Sequence, residues 1–344
     1  MGKYYDGTKL LSMKDINGNT PEIYMCTANN TAGKTTYFTR LLVNRFLSGD
    51  GKFMVIQRFN YELDDCANKF FKDLQGLFFQ NYTMTSVSRA NGIYHEFLLN
   101  DKPCGYAVSL NAVDQLKKVS HFFSDTARMF MDEFQSETDH YCDKEVIKFR
   151  ALHKIVARGQ GEMVRYVPVY MCANPITVLN PYYTAMGISD RINNKVKFLR
   201  GAGFVLEQGY NEAASKAQKT SGFNQAFGDD AYSRFTNEAV YLNDNYAFIE
   251  KPVGRSRYLA TINYLGTDYA IREFPEYGFL YCDNRPDLTF PSRISLTTSD
   301  HKINYVMLKR NDMFFSQLRY FFRNGCFRFK DLACKQVILK ALSF

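Results

Sequence analysis

The 344-residue sequence has no tryptophan, only five histidines, and eight cysteines without a single CxxC pair. The cysteines stand at 26, 66, 104, 142, 172, 282, 326 and 334, a scatter that offers no disulfide framework and suits reduced thiols used as small hydrophobes. His140 and Cys142 share a segment with Asp139, but no tetrahedral ligand set accompanies them, so a structural zinc site is not expected. No apolar run approaches the roughly 18–20 residues of a membrane span, and the MGKYYDGTKL start lacks the apolar core of a signal peptide. Asp6 breaks the N-myristoylation pattern. Internal repeats and low-complexity tracts are also missing.

What is present is a globular composition, 46% hydrophobic and 23% charged, in a chain longer than one core usually fills. Two domains are therefore expected. The first two hundred residues alternate short apolar runs with helical patterns, as in an α/β domain with a mainly parallel sheet. Glu22–Cys26, Phe53–Gln57, the run Met129–Met131 and Tyr166–Cys172 read as strands. Phe38, Leu41, Leu42 and Phe46 give Thr35–Leu47 a helical period that Gly49 would stop. Ile93–Leu99 and Cys104–Leu110 flank Asn100-Asp101-Lys102 as a hairpin, and Lys144–Ala157 reads as a helix. Residues 201–243, rich in Gly, Ala, Asn, Ser and Gln, read as a linker or small helical lid, with Glu212–Ala226 helix-compatible. Beyond 244, Tyr258–Leu265, Asp268–Phe274 and Gly278–Cys282 suggest an antiparallel meander. Asn304–Phe322 follows as an amphipathic helix with Val306, Met313, Phe314, Leu318, Phe321 and Phe322 on one side.

The most informative segment is Ala28-Asn29-Asn30-Thr31-Ala32-Gly33-Lys34-Thr35, which follows a strand and opens a helix. Such a loop turns backbone N–H groups toward phosphates, Lys34 adds a positive charge, and the Thr35 hydroxyl would ligate Mg²⁺. Its first glycine is replaced by Ala28, which would strain the loop if that position needs positive φ. A chance GKT in a turn is the plain alternative, and the two flanking elements argue against it.

Asp132 and Glu133 lie at the end of the run Met129–Met131, with Asp132 98 residues beyond Lys34. An aspartate at a buried strand's carboxyl end can hold the Mg²⁺ shell, and the following carboxylate can orient a water for in-line attack. Without the phosphate loop, the same pair would be two solvated acids. No NKxD-type guanine reader exists, since Asn194-Lys195 leads into Val196-Lys197, so an adenine nucleotide is the better expectation. No residue positively reads the base. Arg158, beyond the helix, could reach a neighbouring subunit's γ-phosphate or simply be a solvated helix-end arginine. Asn174 could sense the γ-phosphate or only turn the chain before Pro175.

Together these residues resemble the DNA-packaging ATPases of small podophages of the φ29 type, relatives of terminase large subunits. Asp132-Glu133-Phe134 is similar to the family's D-E-F. Asn174 with Asn180-Pro181-Tyr182 resembles its coupling region, and Phe248-Ile249-Glu250-Lys251 resembles the start of its C-terminal domain. Leu296-Thr297-Thr298 with Asp300 follows in the same order. The resemblance implies a P-loop ATPase domain of the additional-catalytic-glutamate type over residues 1–200, a linker or lid over 201–243, and a smaller α+β RNase H-like domain, non-catalytic, over 244–344. It implies ATP and Mg²⁺ as cofactors, with Asn29, Asn30, Thr31, Ala32, Gly33, Lys34 and Thr35 around the phosphates and Thr35 and Asp132 at the metal. Glu133 would be the catalytic glutamate, Arg158 the trans-acting finger, and Arg58 and Asn174 would lie near the nucleotide. Where the family can show a lysine two residues after Arg58, this chain has Asn60. The first meander strand carries no carboxylate, and Asp268 and Asp283 border strands as turn acids, so a two-metal nuclease is not expected.

The implied function is an ATP-driven double-stranded DNA translocase that packages a viral genome. It would act as a homo-oligomeric ring, a pentamer, at the portal vertex of a procapsid, with a structural packaging RNA as a further partner. Such a protein would work in the host cell cytoplasm, sit transiently on the portal vertex and be absent from the mature virion; no membrane is expected to be involved. Two rivals stay open: a cellular ring-shaped translocase or helicase, and a non-hydrolysing nucleic-acid-binding scaffold with a degenerate P-loop. DNA contacts should go to phosphates, since a translocase must ignore sequence. Lys117 and Lys118 could face a pore or be a solvated surface pair. The net charge of +8 is uneven: residues 301–344 hold nine Lys+Arg against two acids, leaving 34 bases and 33 acids before them. The C-terminal domain is therefore the expected polyanion-facing part, with Arg319, Arg323 and Arg328 as candidates; a solvated basic face is the plainer reading.

Overall fold

In the computed structural model, residues 4–138, 140–158, 161, 163–192, 196–227, 248–308 and 312–342 are described. Asp139, Asn194-Lys195, residues 228–243 of the Gly-rich stretch, Lys309 and Arg310 lie outside them. The chain divides into two compact units, Met1–Asn243 and Asp244–Phe344.

The first unit is built on a nine-stranded sheet. A short helix α1 (Thr8–Ser12) precedes β1 (Ile23–Thr27), α2 (Lys34–Leu47), β2 (Lys52–Gln57) and α3 (Cys66–Phe78). Strands β3 (Met84–Arg89), β4 (Tyr94–Leu99) and β5 (Lys102–Ser109) lead to the short helix α4 (Val113–Leu116) and a 3-10 stretch, Lys117–Phe123. The unit continues through β6 (Thr126–Asp132), α5 (Glu145–Val156), β7 (Val169–Ala173), α6 (Pro181–Met186), β8 (Phe198–Gly201), β9 (Phe204–Gln208), α7 (Glu212–Lys219) and α8 (Gly222–Phe227). The strand order is β3-β4-β5-β2-β6-β7-β1-β9-β8. The pairs from β5 to β9 are parallel, and antiparallel hairpins close both edges.

The sequence explains the elements it announces. Strands β1 and β7 are buried nearly throughout, and β6 is buried at Met129–Met131, as central parallel strands must be. Helix α2 turns Phe38, Leu42 and Val43 into the core while Leu41 and Phe46 pack at its margin. It stops where the Gly49 N–H reaches Phe46 O with φ of +83°. The β4–β5 hairpin turns on Asn100 and Asp101, both left-handed. Strand β3, edge-bound and polar (MTSVSR), carries no alternating signal and was not expected. The hairpin β8–β9 crosses residue 200, so the change of composition there is not the edge of the sheet: β9 pairs in parallel with β1.

The second unit holds a six-stranded sheet. Its strands are β10 (Arg257–Tyr264), β11 (Thr267–Phe274), β12 (Phe279–Asp283), β13 (Arg293–Ser295), β14 (Val306–Met307) and β15 (Phe327–Phe329), with helices α9 (Asp312–Arg323) and α10 (Leu332–Leu342). The order is β14-β13-β10-β11-β12-β15, with an antiparallel meander β10–β11–β12 at the centre. The amphipathic pattern of 304–322 begins as a helix only at 312. Val306 is instead a strand residue beside Ile294, and Met313 faces solvent while Leu318 is fully buried. None of the described helices is long and apolar enough to cross a membrane.

Candidate nucleotide site of the first unit

Strands β6, β7 and β1 are parallel neighbours, so their carboxyl ends open on one edge of the sheet. The phosphate loop leaves β1, the acidic pair ends β6, and Asn174 follows β7. Register sets the spacing: Cys172 lies beside both Cys26 and Asp132.

The loop takes its curvature from two left-handed residues, Thr31 (φ 59°) and Gly33 (φ 93°). Ala28 is not among the left-handed residues, so the expected strain at that position is absent. Its methyl group lies 3.4 Å from where a Cβ of Gly209 would stand, and a side chain at 209 would crowd it. Lys34, almost fully buried, donates to Ala28 O at 2.7 Å, Asn29 O at 3.0 Å and Asn174 Oδ1 at 3.1 Å. Burial pushes its ammonium below the usual lysine value, and the neighbouring Cys26, Cys172, Asp132 and Glu133 only partly oppose this.

Asp132 Oδ1 accepts the Cys172 thiol at 3.0 Å and the Glu133 backbone N–H at 3.0 Å. Glu133 has φ of 52°, an unfavourable conformation for a non-glycine residue, held here at the strand's end. Its side chain stands at the rim of a cleft of about 340 Å³ that Arg58, Gln135 and Asn174 also line. Burial first, then the charge of Asp132, raises its carboxyl above the ordinary glutamate range. Thr35, the residue after Lys34, is exposed. Among the described residues no cluster of three or more His, Cys, Asp or Glu could hold a metal. This donor set suits Mg²⁺, which takes one or two protein oxygens and completes its shell with water and phosphate.

Other expected residues are placed differently. Arg58 lines the cleft, but its guanidinium is engaged within the chain: Nε bonds both oxygens of Glu145 at 3.1 Å and Nη2 donates to Phe134 O at 2.8 Å. The Asn29 side chain is turned away from the phosphate face. Its Nδ2 donates to Asn211 O at 3.0 Å while its Oδ1 accepts the Asn211 N–H at 2.9 Å. Asn60 accepts from the Ser109 hydroxyl. Arg158, exposed, donates to Ser120 Oγ at 2.9 Å, at the far end of α5 from Glu145. Those 12 residues separate it from the cleft by about 18 Å of helix. It shares that region with Lys117, paired to Asp114 at 2.6 Å, and with exposed Lys118. No pattern in the sequence signals Glu145 or Gln135, and Tyr182 figures there only as part of a coupling segment. Glu145 accepts from Tyr182 at 2.8 Å and Cys142 N at 3.0 Å, and Gln135 Oε1 accepts the N–H groups of Ile176 and Thr177. Only tertiary contact marks them.

In the second unit Arg319 lies over the Phe315 ring and Arg323 is exposed. Arg328 is not a free cation: it pairs with Glu250 at 2.5 Å and covers the rings of Phe279 and Phe248. Asp268 accepts from Asn263 and Tyr305, and Asp283 accepts from Arg272 and the Arg285 N–H, so both acids are occupied structurally.

The family described as "Podovirus DNA encapsidation protein (Gp16)" matches residues 1–343. The chain belongs to this family. As a member it is a phage DNA-packaging ATPase of the φ29 type. It is similar to the DNA packaging protein of Bacillus phage phi29, 23% identical over 299 residues, covering 86% of this chain and 85% of that protein. The DNA packaging protein of Bacillus phage B103 is 23% identical over 303 residues, covering 87% and 89%. Among solved structures, a chain of the bacteriophage Phi-29 viral genome packaging motor assembly superposes with a TM-score of 0.70 at 20% identity, covering 99% of this chain and 100% of that one. The Phi-28 gp11 DNA packaging motor gives 0.60 at 13% identity, covering 100% and 99%. The chain thus shares its fold with both over nearly its whole length.

Proposed function

We propose that the first unit hydrolyses ATP to drive double-stranded DNA into a procapsid, several copies working as a ring, a pentamer, at the portal vertex. The convergence of Lys34, Asp132, Glu133 and Asn174 at three adjacent strand ends carries this reading. Lys34 and the loop N–H groups hold the β- and γ-phosphates. Bound Mg²⁺, held by Thr35 and Asp132, supplies charge neutralisation at the phosphate oxygens. Glu133 orients a water for in-line attack and accepts its proton. Its raised carboxyl range makes it a better proton acceptor once ionised. Asn174 bonds Lys34 at one end of a turn whose N–H groups are held by Gln135, so loss of the γ-phosphate is felt along the 174–177 segment.

Arg158 is too far along α5 to serve its own cleft, which supports a finger acting on the neighbouring subunit. Its company with Lys117 and Lys118 puts that contact beside two candidate DNA-phosphate contacts. The second unit, with Arg319 on the Phe315 ring and the exposed Arg323, faces portal, DNA or a structural RNA. Its central meander and structurally engaged acids support an RNase H-like fold without nuclease chemistry. Work would proceed in the host cytoplasm, with transient residence on the procapsid and none in the mature virion.

The test is ATP hydrolysis with and without DNA and empty procapsid, on wild type and Glu133→Gln. Stimulated hydrolysis in wild type, reduced at least a hundredfold by Glu133→Gln, is expected. Equal background rates in both proteins under every condition would remove the motor reading.

A further inference from the structure

The scattered cysteines suit small buried hydrophobes, but one of them also reaches the hydrolysis site. Cys172, near the carboxyl end of β7, is fully buried in the same apolar cluster as Cys26, Phe38 and Phe130. Parallel register sets it between Cys26 of β1 and Asp132 of β6. Residues paired in register project from the same face of a sheet, so the thiol and the Asp132 carboxylate stand side by side.

Two bonds join Cys172 to the end of β6. Its thiol donates to Asp132 Oδ1 at 3.0 Å, and its carbonyl accepts the Phe134 N–H at 3.3 Å. Glu133, left-handed with φ of 52°, lies between the two residues so held. An aspartate carboxylate by itself turns easily, because its terminal torsion has broad, roughly two-fold wells. Here the Cys172 thiol and the Glu133 N–H, each at 3.0 Å, fall on the same oxygen, Oδ1, and neither engages Oδ2. A thiol suits the position because it packs as a small hydrophobe and still donates one weak hydrogen bond. Cys26 provides the comparison within the molecule. It is as deeply buried as Cys172, but its neighbours in register are Cys172 and Glu207 rather than Asp132.

We propose that Cys172 is a positioning residue of the hydrolysis site: its thiol fixes the rotation of the Asp132 carboxylate and so keeps Oδ2 for the Mg²⁺ shell. The proposal rests on the ATPase reading, with Asp132 at the metal. Partners that orient a metal-binding carboxylate commonly change metal affinity by about 10–100-fold, and a weak donor puts the effect at the low end.

The test is equilibrium binding of a fluorescent ATP analogue to full-length wild type, Cys172→Ala, Cys172→Ser and Cys26→Ala, in EDTA and across a Mg²⁺ titration. Cys172→Ala should need at least about fivefold more Mg²⁺ than wild type to reach half of the Mg²⁺-dependent gain in affinity, while its affinity in EDTA stays within about twofold. The EDTA arm shows that the phosphate loop is still folded, and the backbone bond to Phe134 is available to every variant. Cys172→Ser keeps a donor, and Cys26→Ala removes an equally buried thiol; both should hold the wild-type Mg²⁺ midpoint to within about twofold. An unshifted midpoint in Cys172→Ala would overturn the proposal. So would an equal shift in Cys26→Ala, or an EDTA affinity lost in step with the Mg²⁺ response, because either result reduces the thiol to packing. Serine behaving as alanine would also overturn it, since the donor would then have no part. If wild type binds no nucleotide, or shows no Mg²⁺ response, the failure lies in the reading of the phosphate loop and Asp132, and this inference falls with it.

Discussion

Glu145 is the buried acid on which the hydrolysis cleft's wall depends, and replacing it with glutamine tests that dependence. Its side chain is 1% exposed and that of its partner Arg58 10% exposed. The carboxylate accepts from Arg58 Nε, the Tyr182 hydroxyl and the Cys142 N–H, all of them donors. Glutamine keeps the volume but turns one oxygen into an NH₂ group, which must then point at one of those donors. At least one charge-assisted hydrogen bond is lost, worth about 1.5–3 kcal/mol, and a buried guanidinium loses its counter-charge. Breaking a buried pair from one side costs roughly 3–5 kcal/mol. Because glutamine keeps one acceptor, about 3 kcal/mol is expected, a large part of the roughly 5–15 kcal/mol that holds a typical domain. Since two units need not unfold together, the assay is a urea titration read by hydrogen exchange on peptides from β2 and α5. The combined Arg58→Met, Glu145→Leu variant should cost less than either single change, because it removes both charges from the interior. A Glu145→Gln midpoint equivalent to within about 0.5 kcal/mol of wild type, or additive losses in the double variant, would refute the argument.

Further outcomes follow from the same geometry. The raised Glu133 carboxyl favours the folded state while protonated, and this contribution is lost as pH rises from the ordinary glutamate range through the higher folded value. Glu133→Gln should therefore unfold at slightly higher urea than wild type at pH 8, by under about 1 kcal/mol given the residue's exposure, and identically at pH 3.5; a pH-independent difference would count against a raised carboxyl. Mixing Arg158→Ala subunits into wild-type rings should depress ATP hydrolysis beyond their fraction, and strictly proportional loss would argue against a trans finger. Charge reversal at Arg319 and Arg323 should weaken DNA or procapsid binding at least tenfold with basal hydrolysis unchanged. Arg328→Glu should instead lower the second unit's urea midpoint by meeting Glu250 with like charge, and an unaltered midpoint would show the Glu250 pair to be idle.

The chemistry-bearing strand ends were legible in short stretches of residues. A phosphate loop between a buried strand and a helix, an Asp-Glu pair ending a second apolar run and an Asn ending a third are local patterns, because period, glycine and strand length act over a few residues. Central strands and α2 were legible for the same reason: burial on both faces leaves an unbroken apolar run. The uneven charge of the last 44 residues was also visible, but not which arginines are spoken for. Only the tertiary structure set the order β6-β7-β1-β9, which puts Lys34, Asp132, Glu133 and Asn174 on one side of the loop. It alone paired Arg58 with Glu145 across 87 residues, turned Asn29 toward Asn211, and committed Arg328 to Glu250 and two phenylalanine rings. It also showed Ala28 to be unstrained, since positive φ falls on Thr31 and Gly33 instead. Such pairings depend on which strands become neighbours, a property of the sheet as a whole that no short stretch of sequence contains.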